Sequence, residues 1–252
     1  MAIPPNKNKL RRSIVGVGAP LAWWTADADA CDEAAGVVTQ QRDLVAGRVQ
    51  TYPSGHRPVR TDGRLPYLTF NLNEGAKDSG GLFSGLGDAT VILVWKDANY
   101  NAQYAFLVYY GNDGGSASQA GRFVVYTYLT SAQVATYCEN GAGTSNEELT
   151  NSALDTNWHV NVHRWKLSDG TTAAKIARED GSDLGSTRSV AGAVSGTFAS
   201  KPFMIGTADT AFVSGQTFPA KGALCDVFAS AYLSDAIADL VQQCFKALRG
   251  TP

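Results

Sequence analysis

From Asn157 to Trp165 the chain alternates, with Trp158, Val160 and Val162 on one side and His159, Asn161 and His163 on the other. A period of two is that of a β-strand with two unlike faces. Ser168, Asp169 and Gly170 then predict a turn, and Thr172 to Ile176 a returning strand, so the pair reads as a hairpin. The clearest apolar run, Thr90 to Lys96, predicts a core strand, followed by strands at Tyr104 to Tyr110 and Arg122 to Thr127. Pro202 to Gly206 and Gly222 to Phe228 read as strands too, and Ala132 to Tyr137 as a weaker one. The glycine-rich stretch 78–89 and the turn formers from Gly111 to Ser116 read as connections.

A helical period appears near the end. Ile237, Leu240, Val241, Cys244, Phe245 and Leu248 share one helix face, after Ser234 as N-cap and before Gly250 as terminator. This predicts a helix over 234–249. Residues 1–13 have no period. Pro4 and Pro5 favour an extended backbone, and Lys7, Lys9, Arg11 and Arg12 make the segment basic. It reads as an extended arm ahead of one domain spanning 14–252.

The order of these signals resembles the laminin-G-like, concanavalin-A-like jelly roll. The matching features are Trp158-His159 opening a strand, the hairpin, Pro202 to Gly206, Gly222 to Val227, and Leu233-Ser234 opening the last helix. Pro20 to Asp27 resembles the family's opening strand, and Arg57-Pro58 with Leu68 to Phe70 resembles its next segment. The resemblance runs over roughly residues 19–249 and implies an all-β, two-sheet antiparallel sandwich with a C-terminal helix. Domains of this kind serve as lectins, enzyme accessories and surface proteins of tailed phages, so the fold does not choose among functions.

Composition narrows the classes. The chain has 252 residues and no Pro/Ser-rich or charged linker, which favours one large sandwich. Its 26 glycines suit many strands joined by tight turns. A net charge of −2 gives no global attraction to nucleic acid. No apolar run is long enough to cross a membrane, and no signal-peptide core follows the basic N-terminus, so synthesis in a cytoplasm is expected. Cys31, Cys138, Cys225 and Cys244 lack C-x-x-C spacing. They read as buried thiols, with disulfides formed after release as the alternative.

The candidate chemistry is sparse. Glycosidases hold two carboxylates across the scissile bond. Related glucanases supply them from one strand as E-x-D-x-E or E-x-D-x-x-E, and no such stretch occurs here. Glu179, Asp180 and Asp183 come nearest, but Gly181 marks a turn. His159 and His163 on one strand would lie roughly 13 Å apart, too far to share a metal. No Ser-His-Asp arrangement stands out. Asp27, Asp29, Asp32 and Glu33 form an acidic loop that could attract calcium, although its spacing is not that of an EF-hand and such loops are commonly just solvated. His56 reads as a surface residue. The expectation is a non-catalytic protein without cofactor or metal.

Two functions remain. One is a structural virion protein of a tailed phage, on a capsid, neck or tail. It would assemble with itself or with other virion proteins through Ile3, Lys7, Lys9, Leu10, Arg11 and Arg12, since a basic arm with little apolar surface needs a partner to order it. The other is a carbohydrate-binding, lectin-like module. Its candidate site is His159, Asn161, His163 and Trp165, because an aromatic ring flanked by polar groups suits sugars. The competing reading of that face is cover by another layer.

Overall fold

The computed structural model describes residues 7–70, 74–78, 80–96, 105–111, 122–128, 133–139, 145–153, 157–166, 175–179, 182–183, 197–207 and 222–251. Helix α1 (Lys7–Gly18) comes first, then β1 (Pro20–Thr25), β2 (Cys31–Ala34), β3 (Val37–Arg42), β4 (Val49–Thr51), β5 (Val59–Thr61), β6 (Tyr67–Thr69), β7 (Ala76–Lys77) and β8 (Asp88–Lys96). There follow β9 (Ala105–Tyr110), β10 (Phe123–Tyr128), β11 (Gln133–Glu139), β12 (Ser145–Ala153), β13 (His159–Lys166), β14 (Lys175–Glu179), β15 (Ser182–Asp183), β16 (Phe203–Ile205), β17 (Ala223–Ser230) and helix α2 (Asp235–Arg249).

The strands form two antiparallel sheets. The first runs β15-β14-β13-β8-β17-β6-β5, with β1 also paired to β17; the second runs β12-β11-β10-β9-β16-β7-β4-β3-β2. Strand β17 is the hub of the first sheet. One edge pairs with β8 along its length, while β1 and β6 share the other edge end to end. This is the two-sheet sandwich with a terminal helix that the sequence predicts.

Two apolar layers hold it together. Between the sheets, Trp24 stacks on Phe203 with centroids 5.3 Å apart, and Trp165 stacks on Phe123 at 4.0 Å. The glycine-rich connection contributes Phe83 to this layer, with Tyr110, Phe123 and Phe198 around it. The second layer lies between the first sheet and the helices, where Trp23, Phe228 and Phe245 meet edge to face. Strand β8 therefore buries both faces, with Val91, Leu93 and Trp95 toward the second sheet and Ile92 and Val94 toward the helices. That two-sided burial explains its unbroken apolar run.

Helix α2 follows the prediction. Ser234 stands at the N-cap without a side-chain cap bond, and Gly250 ends the helix at φ 67° with its N–H on the Lys246 carbonyl. Glycine suits that left-handed position. Residues 7–13 differ from the extended arm expected of them, because they belong to α1. Leu10, Ile14 and Val17 have helical spacing, but the stripe straddles residue 13, the boundary set by the two prolines and the basic run. Burial of Ile14 and Val17 beside α2 stabilises a segment that has little helical drive of its own. The Ser230 hydroxyl donates to the Gly18 carbonyl at 2.7 Å, which satisfies one of the helix's terminal acceptors. Residues 1–6, with Ile3, lie outside the described residues.

Strand β12 falls on a stretch to which the sequence pattern assigns no element, and β14 starts three residues after the predicted start of the return strand and overlaps its end. Among the described residues Cys31, Cys225 and Cys244 are free thiols, and burial pushes Cys31 up to about 12. The Cys138 side chain lies outside the description.

Gly18 is where α1 comes closest to the sheet. A Cβ there would lie 2.5 Å from Phe228 Cζ and 3.2 Å from Val241 Cγ2. Gly18→Val is expected to lower stability by about 1–3 kcal/mol through overpacking. Urea unfolding would measure that loss, and limited proteolysis would show faster cleavage within α1.

Candidate functional site

The strand face formed by His159, Asn161, His163 and Trp165 is not a surface. It points between the sheets, where Trp165 is 0% exposed against Phe123. Asn161 accepts a hydrogen bond from Trp95 Nε1 at 2.7 Å, and His163 is fully buried. Burial holds His163 down to about 3, so it is neutral at ordinary pH. Only His159 is partly exposed, with its ring 5.7 Å from that of Trp95. The other face of β13 is also covered. Gln242 of α2 donates to the Val160 carbonyl, and the buried Arg164 donates to Leu233 O and Asp235 Oδ1. Both faces of the strand are interior, so the polar one marks hydrogen bonding inside the sandwich rather than contact with water.

The cations of the N-terminal segment divide. Lys7 and Arg11 bond to the domain itself: Lys7 Nζ reaches Asp27 Oδ1 at 2.6 Å, while Arg11 reaches Asp27 and also Asp29 Oδ2 at 3.0 Å. Leu10 is partly buried, and Lys9 and Arg12 are exposed. The described part of the arm therefore packs on its own domain, because Asp27 and Asp29 offer it charge and the helix–sheet layer offers it apolar contact.

Asp27 sits at the corner where both helices meet the first sheet. Arg249, near the end of α2, donates Nε and Nη2 to the two oxygens of Asp226, each at 2.6 Å. It also reaches Thr25 Oγ1 at 2.6 Å and both oxygens of Asp27 at 3.2 and 3.1 Å. Trp23 Nε1 donates to Asp226 at 3.0 Å. A bulge in β17 makes this possible, since the register shifts between Leu224 and Asp226 and turns Asp226 to the helix side. Burial alone would raise the Asp27 carboxyl, but Arg249, Lys7 and Arg11 hold it well below the usual carboxylate range. Arg42 pairs with Asp32, and Arg60 with Glu33. Each acid of the loop is thus met by a cation of the chain itself, and no three potential ligands cluster for a metal among the described residues.

Two surface features stand out among the described residues. Beside α1, Arg11, Arg12, Val15, Gly16, Trp23 and Leu44 line an open groove of about 380 Å³. On the helix side of the first sheet lies a partly exposed aromatic patch, with Trp158 packed against the apolar layer under the helices. The Tyr67 and Trp158 rings meet edge to face at 5.7 Å, and Lys96 Nζ lies 5.3 Å from one centroid and 5.2 Å from the other. Trp158 sits one residue before β13, on the face of Val160 and Val162, and alternation alone assigns it to the core. Its distinguishing signal is its place at the strand's mouth, level with Lys96 at the end of β8. On the second sheet Tyr110 belongs to the core, and Tyr109 and Tyr126 are buried as well.

No protein-family model matches the sequence, and no curated protein matches it. Solved structures match in fold. Trypanosoma rangeli sialidase aligns over 90% of this chain and 33% of its own, at 11% identity and a TM-score of 0.60. This chain thus spans a third of the length of that enzyme. Domain 4 of AbnA, a GH43 extracellular arabinanase from Geobacillus stearothermophilus, was solved in complex with arabinotriose. It aligns over 89% of this chain and 98% of its own, at 13% identity and a TM-score of 0.59. At these identities the likeness is one of fold, and it agrees with the jelly-roll sandwich.

Trp165→Ala is expected to cost about 3–5 kcal/mol in urea unfolding, as for a large core side chain. Acid should expose the second consequence of the buried strand. Because the folded state holds His163 near 3, the unfolded chain takes up a proton that the fold refuses once pH drops below about 6.5. Stability should fall by roughly 1.4 kcal/mol per pH unit from there down to about 3. Asp27 adds a further loss below about pH 4, since the stability from its depressed folded value is complete above the unfolded one. Denaturation as a function of pH would show both limbs, and His163→Gln should flatten the upper one.

Proposed function

We propose that the chain is a non-catalytic, lectin-like carbohydrate-binding module that takes its ligand at Tyr67, Lys96 and Trp158. The observation that carries this reading is the patch itself. Two aromatic rings and an ammonium share a partly exposed strip of the first sheet. Aromatic bodies with polar tips suit amphipathic ligands such as sugars. The fold supports it by analogy, since a sandwich of nearly the same extent, domain 4 of the arabinanase, was solved with arabinotriose. The lack of an alternating paired-carboxylate strand supports binding without hydrolysis.

A place on a tailed-phage particle is the second reading. Arg12 and Val15, the latter 39% exposed, face outward on α1 and favour it. They offer a basic, partly apolar strip to an acidic neighbour in an assembly, with Ile3 and the two prolines ahead of it. Lys7 and Arg11 no longer support it, because their charges serve Asp27 and Asp29.

Calorimetry and a glycan array on the intact chain test the first reading. Trp158→Ala and Tyr67→Ala should each weaken glycan binding by about tenfold or more while the fold persists. Equal binding by wild type and both variants would move the site elsewhere, and no binding to any glycan would end the proposal.

A further inference from the structure

Building on the carbohydrate-binding reading, the geometry points to an acidic glycan, one bearing a carboxylate or a sulfate, as the ligand of the Tyr67–Lys96–Trp158 patch. A neutral sugar binds an aromatic platform by laying its C–H face on an open ring. Here Lys96 Nζ stands over both rings, within 5.3 Å of each centroid, and takes up one face of each. The rings attract the ammonium through their quadrupoles but carry no net charge, so its positive charge is held in place and not cancelled. No carboxylate pairs with Lys96 among the described residues, in contrast to Lys7, Arg11, Arg42, Arg60 and Arg249, each of which has an acid.

The sheet register builds the seat. Lys96 ends β8 between two neighbours: Ala223 of β17 lies directly opposite it on one side, and the mouth of β13, with Trp158, lies on the other. Tyr67 closes the seat from β6, where Thr69 pairs with the same Ala223. Ala223, which the register puts between Lys96 and Thr69, adds only a methyl group beside the ammonium. A lysine offers three N–H donors and acts as a point charge toward an anion. Charge complementarity thus selects an anionic oligosaccharide, and the two rings then flank its apolar C–H groups.

Calorimetry of the full chain against three probes tests this: an oligogalacturonate for carboxylate, a chondroitin sulfate oligosaccharide for sulfate, and a neutral arabino-oligosaccharide. At least one acidic probe should bind tighter than the neutral one, and its affinity should fall as salt is raised. Lys96→Gln should weaken acidic binding roughly tenfold and remove most of its salt dependence, and Lys96→Arg should restore both. The two acidic arms identify which anion is taken. If neutral and acidic probes bind alike and Lys96→Gln changes neither, the acidic assignment is wrong while carbohydrate binding stands. If no probe binds, both fall.

Discussion

The guanidinium of Arg249 is the pivot of this structure. It is 2% exposed and lies between two buried carboxylates, with a bidentate grip on Asp226 and a second set of bonds to Asp27. Two acids and one arginine would leave a net negative charge in a dry corner. Arg11 and Lys7 supply the balancing charge from the solvent side. Taking such ions out of water costs several kcal/mol apiece, and removing one partner from a buried set typically costs about 3–5 kcal/mol. The arrangement is therefore better understood as a specifier than as a source of stability. It accepts one docking of α2 and one of α1, because any other leaves a carboxylate buried without its cation.

From that corner the layering follows. Both helices lie on the first sheet, which is why β8 and β13 are interior on both faces. Trp158 is only partly buried against the apolar layer between this sheet and the helices, and the aromatic patch appears there. The face nominated for binding is buried by the second sheet instead, where Trp165 meets Phe123.

The main architecture was legible because its strands and last helix carry strong periods. Thr90 to Lys96 reads as a strand in any context, and Ile237 to Leu248 as one helix face. Residues whose fate depends on a third layer were not legible. Strand β13 shows two unlike faces, and alternation cannot say whether the polar one meets water or the partner sheet. Asn161 meets Trp95 Nε1 across 66 residues of sequence, a pairing no local pattern announces. Helix α1 was hidden for a simpler reason: only three apolar residues share its inward face, and prolines and cations precede them. The Arg249 cluster joins positions more than two hundred residues apart, and its one local sign, the β17 bulge, is set by pairing and not by composition.

Lys7 opens the first described helix and Arg249 closes the last, and both hold the same carboxylate of Asp27. The two ends of the fold are thus separated by little more than two side chains and an acid group. A domain with its ends at one corner is topologically close to a closed ring. Its backbone is suited to circular permutation, with a short peptide joining the ends and a new opening at the exposed Ala35–Gly36 turn of the β2–β3 hairpin. The same geometry lets such a domain sit as an insert within a surface loop of another protein, entering and leaving through a single neck.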